Sequence, residues 1–174
     1  MDEATPDWGR IEALVTRLVT GLHAAHPAGF DRVVGVARGG LVPAALLAQV
    51  AGIKQLESIQ VLLYEGTVKH DAPRFLGGRP AAAGPSGDPG RTLIVDEILD
   101  TGETIEALAA LYPDAVYAVL LGRHARERGT TAYDLLRVPT SEAGPDVWVA
   151  DTVAGDAWVL FPWSPAEDRG GAEA

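Results

Sequence analysis

The chain contains no cysteine among its 174 residues. That absence excludes disulfide bonds, thiolate metal ligands and a cysteine nucleophile. Its four histidines are scattered without the spacing of metal-ligand pairs, so a zinc site is not expected. No apolar run approaches the roughly 20 residues that span a bilayer. The acidic start MDEATPDW lacks the apolar core of a signal peptide. We therefore expect a cytoplasmic protein.

Basic residues are also scarce. The chain has 14 Lys and Arg against 24 Asp and Glu, a formal net charge of −10. Nucleic-acid affinity depends largely on Lys and Arg neutralising phosphates, so neither a nucleic acid nor a membrane surface is an expected partner. A small anionic ligand remains compatible with this charge, because local backbone dipoles can outweigh the net charge.

The remaining composition is typical of a globular protein, with 47% hydrophobic and 22% charged residues. The length suits a single domain, which we place at residues 1–165. The last nine residues, 166–174, are predicted to be a disordered tail because they are polar and rich in glycine and alanine.

Predicted strands and helices alternate along the chain. Apolar residues at helical spacing predict a helix over residues 8–24, with Thr5 or Asp7 as its N-cap. The strand DRVVGV, the helix AALLAQVAG, the strand SIQVLLY, the strand TLIVDEI, the helix GETIEALAALY and the strand DAVYAVLL follow. Gly and Pro crowd residues 65–91, which we interpret as a mobile loop, and only short extended pieces follow Arg123. The alternation predicts an α/β fold, a Rossmann-like parallel sheet flanked by helices.

The third of these strands ends in a cluster of carboxylates, in the stretch TLIVDEILDTGET from Thr92 to Thr104. The turn from Asp100 to Thr104 offers unpaired backbone N–H groups and two hydroxyl groups just before a helix, which favours phosphate binding. A helix N-cap alone would account for that turn. It would not require the adjacent pair Asp96 and Glu97, which repel each other unless a cation or sugar hydroxyl groups lie between them.

A second polar turn, VARGG, follows the first strand. Two glycines after Arg38 allow backbone amides to approach a ligand, and the guanidinium can hold a phosphate through two hydrogen bonds. By itself Arg-Gly-Gly is more often an ordinary strand-to-helix turn. Both turns nevertheless fall at the carboxyl ends of parallel strands, the edge at which such sheets bind ligands. The pattern indicates a sugar with a phosphate group at each end.

These stretches resemble the type I phosphoribosyltransferases. TLIVDEILDTGET is similar to their thirteen-residue signature for phosphoribosyl pyrophosphate (PRPP). VVGVARGGLVPAALLA is similar to the pyrophosphate loop of the xanthine-guanine phosphoribosyltransferases, and DAWVLFPW resembles their purine-binding end. The resemblance implies the type I phosphoribosyltransferase fold with a small C-terminal hood at about residues 123–165. It also implies a homo-oligomer, a dimer or a tetramer.

The resemblance further implies a Mg²⁺-dependent transfer of the 5-phosphoribosyl group from PRPP to a purine base, with a non-proline cis peptide between Ala37 and Arg38. Asp100 would be the general base, Arg38 would stabilise the leaving pyrophosphate, and Asp96 and Glu97 would bind the ribose and the metal. The implied PRPP-binding residues are Arg38, Gly39, Gly40, Asp96, Glu97, Asp100, Thr101, Gly102, Glu103 and Thr104. The implied base-binding residues are Arg123, Trp158 and Val159.

The chain departs from the family pattern at three places. Glu97 stands where the second of two aspartates is usual, Arg123 stands where a lysine recognises the purine 6-oxygen, and extra residues lie between Arg123 and Trp158. Because Arg and Lys are not interchangeable donors, the base is left open between xanthine, guanine or hypoxanthine and a non-standard base. A non-catalytic sensor of PRPP or nucleotides is a further alternative.

Overall fold

A seven-stranded sheet lies at the centre of this computed structural model, which describes residues 3–65, 68–77, 91–123, 135–142, 144–154 and 158–165. The helices in these ranges are α1 (Trp8–Ala25), α2 (Leu41–Ala51) and α3 (Glu103–Ala109). The strands are β1 (Glu3–Ala4), β2 (Arg32–Ala37), β3 (Gln55–Glu65), β4 (Val68–Gly77), β5 (Thr92–Leu99), β6 (Val116–Arg123), β7 (Leu136–Pro139), β8 (Asp146–Val153) and β9 (Trp158–Val159).

The sheet has the order β4-β3-β2-β5-β6-β8-β7. Its five inner strands are parallel, whereas β4 and β7 pair antiparallel at the two edges. The predicted α/β fold with a parallel sheet is therefore confirmed. Strands β1 and β9 form a separate parallel pair.

Helices cover both faces of the sheet, which explains why the inner strands are almost continuously apolar. On one face α1 and α2 pack Ile11, Leu14, Leu18 and Leu47 against alternate strand residues such as Leu120. On the other face α3 packs Ile105 and Leu108 against the residues between them, including Ile94 and Val119. Both layers hold the parallel strand ends in a fixed arrangement.

Local sequence signals determine where α1 begins and where α2 ends. The Asp7 side chain accepts a hydrogen bond of 2.7 Å from the backbone N–H of Arg10, so Asp7 is the N-cap of α1. Helix α2 ends at Gly52, whose φ of +70° is the left-handed conformation that favours glycine. In the described residues no helix is both long enough and apolar enough to cross a membrane.

The loop predicted over residues 65–91 is wrong for β4, which pairs with β3 as a hairpin. Pro73 within this stretch favours a loop, but a proline is tolerated on an edge strand, where its missing N–H costs no ladder hydrogen bond. The register of the β3–β4 ladder shifts between Leu62 and Tyr64, close to this proline. The remaining residues of the predicted loop, 66–67 and 78–90, and the predicted tail, 166–174, lie outside the described residues.

Candidate active site

The predicted turn at Arg38 to Gly40 meets the acidic pair, Asp96 and Glu97, at the carboxyl ends of the parallel strands. Strands β2 and β5 are adjacent and parallel, so their carboxyl ends lie side by side. A Cβ atom at Gly39 would overlap the carboxylate of Glu97, and one at Gly40 would lie 2.8 Å from Oδ1 of Asp96. Glycine is therefore needed at both positions for the Arg38 loop to approach the acidic pair. The peptide bond between Ala37 and Arg38 is cis, as predicted.

The acidic pair, Asp96 and Glu97, is half-buried at the end of β5. The backbone N–H of Glu97 donates a 2.9 Å hydrogen bond to Oδ1 of Asp96. Burial raises the pKa of Asp96 well above its usual range, and repulsion from the Glu97 carboxylate raises it further. Burial also raises the pKa of Glu97. The site thus favours a proton or a cation between these carboxylates.

The residues of the acidic pair fit a magnesium ion. Oε2 of Glu97 is buried, and it has no hydrogen-bond partner among the described residues. Carboxylate oxygens are the ligands that Mg²⁺ prefers, and the ion typically takes one or two of them together with water and substrate phosphates. No cluster of three or more metal-binding side chains occurs in the part of the chain that is described. Two carboxylates suit an ion whose remaining ligands come from the substrate.

The turn after β5 adopts the sharp bend that its glycine allows. Gly102 has a φ of +88° and precedes α3 directly, while the N–H of Glu103 lies 3.4 Å from Oγ1 of Thr101. Thr140, which follows β7, packs against this bend so closely that a Cβ atom at Gly102 would lie 2.9 Å from the Thr140 Cβ. Sequence reasoning missed Thr140, because nothing in the local sequence places it beside Gly102.

Asp100 and Arg123 lie together on the neighbouring strand ends of β5 and β6. Leu99 and Gly122 are register partners, so the next residue of each strand end faces the other. The Nε atom of Arg123 is 3.6 Å from Oδ1 of Asp100, with side-chain exposures of 15% and 54%, respectively. The predicted general base and the predicted base-recognition residue are therefore brought into one ion pair.

Trp158 and Val159 form β9, outside the seven-stranded sheet. Trp158 is 54% exposed, whereas Val159 is half-buried against the core. Within the described residues, no hydrogen bond or ion pair joins either of them to Asp100 or Arg123. The geometry provides an open aromatic surface at Trp158, but it does not by itself bring that surface to the acidic pair.

Comparisons with known proteins agree with this arrangement. A family model for a phosphoribosyl transferase domain matches residues 4–153. A xanthine-guanine phosphoribosyltransferase of Gluconobacter oxydans (strain 621H) is 33% identical over 165 residues, which cover 94% of this chain and 85% of that protein. Another protein of that name, from Cereibacter sphaeroides (strain ATCC 17025 / ATH 2.4.3), is 30% identical over 134 residues, covering 77% and 69%. The crystal structure of a purine phosphoribosyltransferase from Pyrococcus horikoshii Ot3 matches with a TM-score of 0.68 and 25% identity over 95% of each chain.

Proposed function

The chain belongs to the phosphoribosyl transferase family, and from this membership we propose that it is a purine phosphoribosyltransferase acting on a 6-oxopurine base. The reaction transfers the 5-phosphoribosyl group from PRPP to xanthine, guanine or hypoxanthine. Its products are the nucleoside monophosphate and pyrophosphate. The observation that carries the proposal is the close approach of the Arg38 loop to Asp96 and Glu97 at the edge where Asp100 meets Arg123. The names of the relatives support the class of base.

We assign the three parts of PRPP to three groups of residues. The pyrophosphate lies against Arg38, Gly39 and Gly40, where the absence of side chains lets backbone amides reach its oxygens. The ribose hydroxyl groups face Asp96 and Glu97. The 5-phosphate lies in the turn that follows β5, where backbone N–H groups and two hydroxyl side chains can donate to it. That turn consists of Thr101, Gly102, Glu103 and Thr104.

Asp96 and Glu97 would also hold Mg²⁺, since their carboxylates repel each other and one buried oxygen of Glu97 lacks a hydrogen-bond partner in the described part of the chain. When bound, the ion neutralises charge on the pyrophosphate group. The raised pKa values of both carboxyl groups mean that binding of a cation competes with binding of a proton. Occupancy of the site should therefore increase with pH.

The chemical step breaks the bond between C1 of the ribose and the pyrophosphate oxygen, and the electron pair leaves with pyrophosphate. A base nitrogen supplies the electron pair of the new bond to C1. Arg38 stabilises the departing anion. Asp100 accepts the proton that the attacking base loses. Arg123 donates to the 6-oxygen of the same base, so the 3.6 Å ion pair orients the base edge toward Asp100.

The purine ring stacks on Trp158, whose side chain is exposed enough to present a face to a ligand. Stacking of a base on an aromatic side chain contributes about 1–3 kcal/mol. The backbone of Val159 reads the substituent at the 2-position of the base. In this assignment Arg123 and Val159 recognise opposite sides of one ring.

An assay of pyrophosphate release tests the proposal directly. The purified protein is incubated with PRPP and Mg²⁺ and offered xanthine, guanine, hypoxanthine, adenine and a panel of non-purine bases. Release with a 6-oxopurine supports the proposed function. Release only with another base would assign the chain to a non-standard substrate, an outcome that Arg123 in place of lysine would then explain. No release with any base, together with binding of PRPP, would indicate a non-catalytic sensor.

A further inference from the structure

The first described residues of the chain make two contacts with residues 158–165 and one with β8. Strand β1 pairs with β9, with Glu3 opposite Trp158 and Ala4 opposite Val159. The Trp8 ring lies 5.8 Å from the Trp163 ring, which is in turn stacked on Phe161. Arg10 forms an ion pair with Asp151 of β8. We call residues 3–10 the N-terminal clamp.

The ion pair of the clamp holds the carboxyl end of β8, the last strand before β9 in the chain. Asp151 is the register partner of Leu121, and Val153 is the register partner of Arg123. Asp151 accepts a hydrogen bond from Nη2 of Arg10 through Oδ2 and one from the N–H of Thr152 through Oδ1, at 2.9 Å. A carboxylate held by both groups restricts the backbone next to the partner of Arg123.

Trp158 depends on such support because the residue is largely exposed. An exposed ring is not held by packing on all sides, so the backbone of β9 determines where its face lies. That backbone pairs with β1 on one side and continues into the buried residues Leu160 and Phe161. The position of the ring is therefore linked to the N-terminal clamp as well as to the core.

We propose that the N-terminal clamp positions the base-binding side of the active site, with Arg10 as a positioning residue that acts through Asp151. The proposal rests on the proposed function, because it takes Trp158 as the stacking surface for the base. The clamp contacts β8 and β9, whereas the PRPP-binding turns follow β2 and β5. Loss of the clamp should therefore raise the KM for the base and leave the KM for PRPP unchanged.

The test compares KM values for the base and for PRPP in the full-length protein. Arg10→Met keeps most of the side-chain volume and removes the charge. We expect it to raise KM for the base about two- to fivefold, the range that follows from an exposed ion pair, with KM for PRPP within twofold of the wild type. Asp151→Asn should give the same split. The charge-swapped double variant, Arg10→Asp with Asp151→Arg, should recover part of the loss.

A matched control is available at the amino ends of β2 and β5, the opposite end of the parallel strands. Arg91 and Asp31 form an ion pair at 3.2 Å, and the Arg91 side chain is 50% exposed, close to the 49% of Arg10. Arg91→Met should change neither KM value. Thermal unfolding of each variant separates a change in base binding from a loss of folded protein.

Two outcomes would overturn the inference while leaving the proposed function intact. In the first, Trp158→Ala raises the KM for the base on the order of 10- to 100-fold through the loss of stacking, whereas Arg10→Met and Asp151→Asn leave this KM unchanged. The second is that Arg10→Met and Arg91→Met both change the KM for the base and the KM for PRPP, and by equal factors. A wild-type protein without activity toward any base would overturn the proposed function, and the inference with it.

Discussion

Replacing Gly39 by alanine should lower the activity of this protein strongly while changing its stability little. A Cβ atom at Gly39 would lie 2.0 Å from Cδ of Glu97, inside the space that the carboxylate occupies. Carbon atoms in ordinary contact are about 3.5–4.0 Å apart, so the carboxylate has to retreat by about 1.5 Å. The obstacle is the end of a flexible side chain, so we expect the free energy of unfolding to change by less than about 1 kcal/mol.

The functional loss should be much larger, because the displaced carboxylate is one that we assign to the ribose and the metal. A misplacement of about 1 Å at a catalytic site can cost on the order of 10²-fold. We expect Gly39→Ala to lower kcat/KM for PRPP by about 10- to 100-fold. Steady-state kinetics with saturating base and Mg²⁺ measures this loss, and chemical denaturation of the same sample measures stability.

Two further variants make the reasoning refutable. Glu97→Asp shortens the side chain by one methylene group, so adding it to Gly39→Ala should restore part of the lost kcat/KM. Gly52→Ala is the control, because Gly52 has no atom within 4 Å of its would-be Cβ but has a φ of +70°. It should lose about 1–2 kcal/mol of stability while retaining its kcat/KM. Full activity in Gly39→Ala, or a loss no larger than its loss of stability predicts, would show that the Glu97 carboxylate does not contact PRPP or its metal.

The remaining predictions concern the charged residues of the site. The pKa of Asp96 is raised in the folded protein, so the folded protein binds more protons than the unfolded chain. Without Mg²⁺ the free energy of unfolding should therefore decrease as the pH rises from the ordinary Asp pKa, about 4, through the raised pKa. Asp96→Asn should flatten this pH dependence and stabilise the metal-free protein at neutral pH by about 1 kcal/mol. Thermal unfolding from pH 5 to pH 8 measures both effects. If the free energy of unfolding of Asp96→Asn varies with pH as in the wild type, the raised pKa of Asp96 is contradicted. Asp100→Asn should lower kcat about 10²-fold or more with little change in PRPP affinity by calorimetry, and an equal loss of both would argue against its role as the base. Arg123→Ala should reduce discrimination between 6-oxopurines and adenine and spare PRPP binding, and an unchanged base preference would remove Arg123 from the pocket.

Much of the fold was predictable because its signals are local. The alternation of apolar runs predicts the inner strands and the helices between them, since parallel strands are buried on both faces. Gly52 marks the end of α2 because glycine, which has no Cβ atom, adopts the left-handed conformation there without steric strain. The hairpin strand β4 was mistaken for a loop, because Pro73 and the surrounding glycines are loop signals in any local window, and only its place at the sheet edge makes the proline tolerable.

The sequence by itself determined the two turns that we propose bind PRPP, because Arg38 to Gly40 and Asp96 to Thr104 are each continuous stretches at the ends of recognisable strands. Only the tertiary structure decided which distant residues become neighbours around the site. Thr140 packs on the bend at Gly102, and Arg10 pairs with Asp151 across a sequence separation of 141 residues. Such contacts have no local signature, because the order of strands in the sheet, rather than the order of residues in the chain, determines which strand ends become neighbours.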